Sequence, residues 1–273
     1  MTTLLPFTSY YSKNVLRVGE TLLYPDASQL KTWTSADGVT WSSANWVGPY
    51  YPIGQVAYFN GYVWWWDTES EPGVLTTLKS ADFINWALEA NQEAPIDFIW
   101  SDMVVVQGGV LRRFNKASTY VKTYSTTNGT AWSSVVDTSL LSASVARIVL
   151  YAGSLYAIPP GNSTVYKSVY RSDDGGLTWT QLTSNWGVPT VTLIDCIATS
   201  EGLLAVFSDN ETWTSADGIT WIKKNYTLPT GINVMRNGAL ISLGSDLFMI
   251  CCGTSYRNIF KLVTNSGPVG VPL

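Results

Sequence analysis

Thr32-Trp33-Thr34-Ser35-Ala36-Asp37-Gly38-Val39-Thr40-Trp41 is written again, almost letter for letter, as Thr212-Trp213-Thr214-Ser215-Ala216-Asp217-Gly218-Ile219-Thr220-Trp221. Three looser copies lie between them: Ser80-Ala81-Asp82-Phe83-Ile84-Asn85-Trp86, Thr126-Thr127-Asn128-Gly129-Thr130-Ala131-Trp132 and Ser172-Asp173-Asp174-Gly175-Gly176-Leu177-Thr178-Trp179. The closing tryptophans stand at 41, 86, 132, 179 and 221, so the unit recurs every 42–47 residues. Self-similarity at that period marks a repeat architecture.

Each copy sets β-branched and aromatic residues on both sides of a short Asp-Gly or Asn-Gly turn, the local signature of a tight hairpin. The Ser or Thr two residues before the Asp, and the Asp itself, can bond backbone groups across the turn. The closing Trp reads as an anchor that packs one hairpin on its neighbour. Upstream of every hairpin lies a second pair of short apolar runs: Val15–Val18 with Thr21–Tyr24, Gln55–Phe59 with Tyr62–Trp66, and Met103–Val106 with Val110–Phe114. Arg147–Tyr151 with Leu155–Ile158, Cys196–Thr199 with Leu203–Phe207, and Ala239–Leu243 with Leu247–Cys251 complete the set. Four short antiparallel strands per repeat make one blade of a β-propeller.

The expected fold is therefore all-β: one six-bladed propeller over residues 1–273, with blades near 14–45, 54–90, 102–137, 146–183, 194–225 and 238–264. The sixth blade has a third strand in Asn258–Val263 but no closing hairpin after it. Thr2–Phe7 is free to supply the missing strand, and the spacing predicts that the N-terminus closes the ring. Val269–Leu273 is the alternative, disfavoured because its prolines remove ladder donors.

Composition narrows the function. Charged residues make up 13% of the chain, about half the usual share, and the net charge is −4. Such a surface suits a protein packed in an assembly or facing sugars, and not one that binds nucleic acid. No apolar run approaches the length of a membrane span, and no signal-peptide pattern opens the sequence. Histidine is absent, which removes the commonest general base at neutral pH and excludes Ser-His-acid and Cys-His schemes. With Cys196, Cys251 and Cys252 as the whole cysteine complement, no metal site and no cofactor is expected. The three read as free thiols, and Trp64-Trp65-Trp66 as core with rings on both faces of a strand.

Residues 172–179 fit the pattern Ser-x-Asp-x-Gly-x-Thr-Trp completely, and the 35–41 and 215–221 copies are a form one residue shorter. The chain thus resembles the Asp-box (BNR-repeat) β-propellers typified by sialidases over nearly its whole length. That resemblance implies a structural role, away from the ligand face, for Ser35, Asp37, Gly38, Trp41, Ser172, Asp174, Gly176, Trp179, Ser215, Asp217, Gly218 and Trp221. Asn128, Gly129 and Trp132 fill the same places in the third copy, and Ser80, Asp82 and Trp86 in the second, where Phe83 replaces Gly and implies a different turn. The compact Ser-Ala-Asp-Gly form also resembles proteins of tailed bacteriophages. This second resemblance implies a virion protein made in a host cytoplasm.

A sialidase requires three arginines converging on a substrate carboxylate, a Tyr–Glu nucleophile and an acid/base Asp, the arginines because planar guanidinium groups clamp carboxylates in two-point fashion. The chain has seven arginines: Arg17, Arg112, Arg113, Arg147, Arg171, Arg236 and Arg257. Arg17 lacks the Pro of the family's first-arginine motif, and Arg147 and Arg236 sit at different phases to their own turn glycines. All seven read as exposed strand-end charges. Asp97, Asp102 and Asp195 fall in or beside inner strands, where an Asp bonds backbone groups at the tunnel. No catalytic residue is assigned.

The connections between blades carry aromatics beside Pro, Asn and Asp: Trp46, Tyr50 and Tyr51 before the second, Asp97, Phe98 and Trp100 before the third, Trp186 before the fifth and Tyr226 before the sixth. Displayed rings of this kind stack on sugars or anchor protein partners, and the alternative is that they cap the gaps between blades. Asp67-Thr68-Glu69-Ser70-Glu71 reads as a solvated acidic loop. The expectation is a non-catalytic interaction module of a phage tail, baseplate or fibre, whose partners are other virion proteins or a host-surface glycan. A sialidase-like exo-glycosidase and a purely structural virion component are the alternatives.

Overall fold

In a computed structural model the described residues are 2–4, 15–26, 29–48, 54–71, 74–93, 103–116, 119–134, 136–188, 190–227, 238–252 and 257–264. They form six antiparallel sheets arranged as a six-bladed propeller. Blade one is Leu16–Val18, Thr21–Asp26, Lys31–Ser35 and Ser42–Asn45. Blade two is Gly54–Phe59, Tyr62–Glu71, Val74–Ser80 and Ala87–Glu93. Blade three is Met103–Gln107, Val110–Asn115, Tyr120–Thr126 and Val136–Leu141. Blade four is Arg147–Tyr151, Ser154–Ile158, Val169–Ser172 and Thr180–Thr183. Blade five is Leu193–Thr199, Gly202–Phe207, Thr212–Ser215 and Ile222–Lys224. Gly238–Leu243, Asp246–Cys252 and Arg257–Thr264 build blade six. Among the described residues no α-helix occurs, and one 3-10 turn covers Ser142–Ser144.

The N-terminus closes the ring. Thr2–Leu4 pairs antiparallel with blade six, Thr2 opposite Phe260 and Leu4 opposite Asn258. The alternative closing segment, Val269–Leu273, lies outside the described residues. The acidic run is corrected from loop to strand: Asp67 faces Thr76 and Glu71 faces Val74 across a bulged ladder, which extends the second strand of blade two.

Alternation along the strands explains where the core sits. Residues i and i+2 face one side and i+1 the other, so each blade feeds two interfaces. Six buried clusters result, one per interface between neighbouring blades. The Trp64-Trp65-Trp66 run behaves as its sequence implies. Trp64 and Trp66 pack toward blade three with Leu111 and Tyr124, while Trp65 packs toward blade one with Leu23 and Trp46.

Four of the five turns follow one hydrogen-bond scheme, and the second keeps its aspartate part. In the first, the Gly38 N–H donates to Ser35 Oγ at 2.9 Å, and the Val39 and Thr40 N–H groups donate to Asp37 Oδ1 at 2.8 and 2.6 Å. Asn128 accepts in the same way from Thr130 and Ala131, with Thr126 in the place of the serine. Backbone donors from Thr40 and Val39 hold the Asp37 carboxyl down at about 2. Burial raises Asp174, yet the Thr178 hydroxyl and N–H outweigh it and also leave that carboxyl at about 2. Bonds from Asn85, through its N–H and its side chain, hold Asp82 far below the usual carboxylate range.

The glycine of each turn has a second reason to be there. A Cβ on Gly38 would stand 2.6 Å from the Phe248 ring, on Gly129 2.5 Å from Trp64, on Gly176 2.4 Å from Phe114 and on Gly218 2.9 Å from Tyr156. Every one of those rings comes from the second strand of the preceding blade. The expectation that Phe83 forces a different turn is corrected. Phe83 adopts the same left-handed backbone, φ 66°, and Asp82 still accepts from Ile84 and Asn85. The preceding blade offers Leu23 in place of an aromatic, and Phe83 supplies the ring itself, packed against the cluster that contains Leu23. The turns and the faces they cover are therefore fitted pairwise.

Candidate functional site at the mouth of the tunnel

The first strands of the blades line the axis. At the end where these strands begin, the mouth, four blades contribute one polar cluster. Arg147 opens the first strand of blade four, and its Nε donates to Asp195 Oδ1 of blade five at 2.6 Å. Their side chains are 19% and 10% exposed, so the pair is largely desolvated. Arg147 also donates from Nη1 to the Ala146 carbonyl and from Nη2 to the Ile194 carbonyl, at 3.1 and 3.3 Å. Asp195 accepts in addition from the Cys196 N–H at 2.9 Å and, across the interface to blade six, from the Leu240 N–H at 2.8 Å. A bulge between Leu193 and Asp195 makes this possible, because an extra residue re-aims the side chain that follows it.

Lys116, just past the second strand of blade three, donates from Nζ to the Val145 carbonyl. Burial, and then the nearby Arg147 guanidinium, pull its ammonium below the ordinary lysine value. Cys196 stands behind the cluster, free and buried, with its thiol pushed up by desolvation. Among the described residues, no group of three or more His, Cys, Asp or Glu is placed to hold a metal ion.

Asp195 does what the sequence expects of an inner-strand Asp, bonding backbone groups at the tunnel. The expectation that all seven arginines are exposed is corrected at Arg147, whose side chain is largely desolvated, and at Arg113, which is 1% exposed. Its guanidinium lies 5.9 Å from the ring centres of both Trp66 and Trp132, inside the wall between blades two and three, where the ring faces attract a cation. Arg17 caps its own turn by donating to Gly19 and Glu20, Arg171 pairs with Asp173, and Arg112 lies against the Gly175 turn. These three stand at the end opposite the mouth, so they do not converge with Arg147. Arg236 lies outside the described residues, as does the side chain of Arg257.

Where described, the connecting-loop aromatics follow the second reading and cap the gaps between blades. Trp46 and Trp186 are 7% and 2% exposed. Trp46 stacks on Trp86 at 4.8 Å, and Trp186 meets Trp221 edge-on at 5.3 Å. Tyr226 is half-buried in a two-residue strand that pairs with Thr264 of blade six. The physical reason is blade twist. Each outer strand is rotated relative to the axis, so its end reaches the closing hairpin of the next blade before the chain turns inward. Val47 bonds Ile84 and Trp86 in the same manner. Trp46, Trp186 and Tyr226 thus stitch blades together. Tyr50, Tyr51, Asp97, Phe98, Trp100 and Asp102 lie outside the described residues.

Residues 80–231, more than half of the chain, match the DUF6242 β-propeller domain. The chain belongs to that family. No curated protein matches it in sequence. Among solved structures, this DUF6242 propeller is similar to that of YjhT, with a TM-score of 0.65 and 13% identity over 97% of this chain and 98% of the other. It is also similar to the α-L-arabinofuranosidase Arb93A of Fusarium graminearum, at 0.61 and 17% over 96% of each chain. Virginiamycin B lyase of Staphylococcus aureus follows at 0.58 and 11%, over 96% of this chain and 88% of that one. At such identities the likeness is one of fold, and a fold of this kind carries unrelated activities.

Proposed function

We propose that this propeller is a non-catalytic, Asp-box type interaction module that serves in a tailed-phage virion, in host-surface glycan attachment or in assembly contacts. The observation that carries the non-catalytic part is the state of Asp195. It is the one carboxylate on the described first strands, and both its oxygens are taken by Arg147 and two backbone N–H groups. Glycoside cleavage needs two carboxyl groups about 5–10 Å apart across the scissile bond, at least one of them free to exchange a proton. A fully bonded carboxylate beside a guanidinium is built to hold blades together. The virion setting rests on the low charge and on the style of the repeated turn.

The test is a glycan-array screen of the purified protein, run beside turnover of fluorogenic sialoside and arabinofuranoside substrates. Retention of a glycan without turnover is the expected result. Turnover that disappears in Asp195→Asn would overturn the non-catalytic assignment. Silence in both assays would remove glycan attachment and leave the assembly role.

A further inference from the structure

Blade two carries an exposed aromatic at the start of its second strand, beside a Lys–Glu ion pair. Tyr62 begins its second strand and is 37% exposed. Its ring lies edge-on to buried Trp64, with centres 6.2 Å apart. Lys79 Nζ stands 5.2 Å from the Tyr62 ring centre and 5.6 Å from that of Trp64, and it is ion-paired to Glu89 on the outer strand. The Lys79 and Glu89 side chains keep 30% and 25% of their surface in solvent.

The repeat itself shows that the fold does not require this set. The ladders place Thr21, Val110, Ser154, Gly202 and Asp246 at the position of Tyr62 in the other five blades. None is aromatic, yet all five blades form. Beneath the exposed ring the support is firm: Trp64 Nε1 donates to the Phe59 carbonyl at 2.9 Å, and the Gly129 turn closes on the indole edge. Asn60 Nδ2 donates to the Thr127 carbonyl at 2.9 Å and fixes the neighbouring turn.

We infer that this rim of blade two is a subsite for a neutral pyranose, an inference that rests on the glycan-attachment reading above. The part of the Tyr62 ring that Lys79 leaves uncovered is rigidly backed and offers an apolar surface to the C–H face of a sugar. An ammonium beside it donates to ring hydroxyls and a carboxylate accepts from them, as charge-assisted hydrogen bonds. The Lys79–Glu89 pair is neutral as a unit and offers no net attraction to a ligand carboxylate, so an uncharged sugar is the ligand its chemistry fits. Little ordering is required on binding, since the platform is held before the ligand arrives.

The experiment is an array of neutral and sialylated glycans, followed by calorimetric titration of the neutral glycan retained best, using wild type, Tyr62→Ala, Tyr62→Trp and Glu89→Gln. Tyr62→Ala is expected to weaken binding about tenfold or more, by the usual cost of losing a buried aromatic contact. Tyr62→Trp should retain it and Glu89→Gln should weaken it, with thermal midpoints close to wild type. Unchanged affinity in Tyr62→Ala would overturn the subsite while leaving glycan attachment standing elsewhere. Preference for sialylated glycans would overturn the neutral assignment. Retention of no glycan at all would overturn both the subsite and the attachment reading.

Discussion

Gly129→Ala and Gly61→Ala together isolate the pairwise fit between a turn and the blade before it. The two glycines have nearly the same backbone, φ 85° and 81°, so the left-handed penalty of about 1–2 kcal/mol applies to both. Alanine's smaller loss of chain entropy, about 0.4–1 kcal/mol, also enters both equally. What differs is space. A Cβ at Gly61 meets nothing within 4 Å, whereas at Gly129 it stands 2.5 Å from Trp64 Cη2 and Cζ2. Carbon atoms rest about 3.5–4.0 Å apart, so the indole or the turn must retreat by more than an ångström or so. Trp64 has nowhere to go: it is 3% exposed, bonded to the Phe59 carbonyl and stacked on Trp66 at 6.2 Å. Overpacking of this kind costs about 1–3 kcal/mol. Gly129→Ala should therefore lose that much more stability than Gly61→Ala in urea unfolding. In a domain of this size the difference corresponds to a gap of roughly 2–12 °C in melting temperature. Equal destabilisation of the two variants would refute the claim that the turn glycines are set by the neighbouring ring.

Three further outcomes follow from the same geometry. Asp195→Ala leaves Arg147 buried without its carboxylate and should cost about 3–5 kcal/mol, while the Arg147→Met/Asp195→Leu double variant recovers much of it in a double-mutant cycle. Asp37, Asp82, Asp174 and Asp217 all have folded-state pKa values below the unfolded carboxylate value of about 3.9. Their stabilisation is present in full above that value and is lost as pH falls through the folded values, about 2 for Asp37 and Asp174. The melting temperature should accordingly drop between about pH 4 and pH 2, and drop less in a variant with Asn at all four places, since Asn128 already shows that an amide serves the turn. Removing residues 2–4 exposes the edge at Asn258–Phe260, and should lower the melting temperature and produce self-association in size-exclusion chromatography.

The turns and the strand pairs were legible because their chemistry is local. Ser35, Asp37 and Gly38 meet their hydrogen-bond partners within three residues, so spacing alone reveals the scheme. Closure by Thr2–Leu4 was legible by subtraction, one strand spare at the start and one missing at the end. Trp46 and Trp186 were not, since a loop aromatic reads the same whether it is displayed or docked, and blade twist decides which. Phe83 looked like a broken turn until the absence of a ring at Leu23 explained it. Arg147 and Asp195 are 48 positions apart and carry no motif, and the bulge that joins them leaves no mark in the alternation of the strand. Tyr62, Lys79 and Glu89 come from three strands. The available signal was comparative: Tyr62 breaks with the residues that the repeat puts in its place in the other blades.

Closure by the first strand has a consequence for how the protein comes into being. Thr2 finds Phe260 only after all the blades between them have been made. Blades two to five can each seat their turn on the blade before them as synthesis proceeds at about 5–20 residues per second, while the turn of blade one waits for Phe248 of blade six. The opening segment must wait through all of that with its backbone unsatisfied. When the last blade emerges, the two ends meet across the largest loop the chain contains, the step that carries the greatest closure entropy. The ring is thus the last thing to form, and during synthesis the nascent protein is an open arc with two unfinished edges.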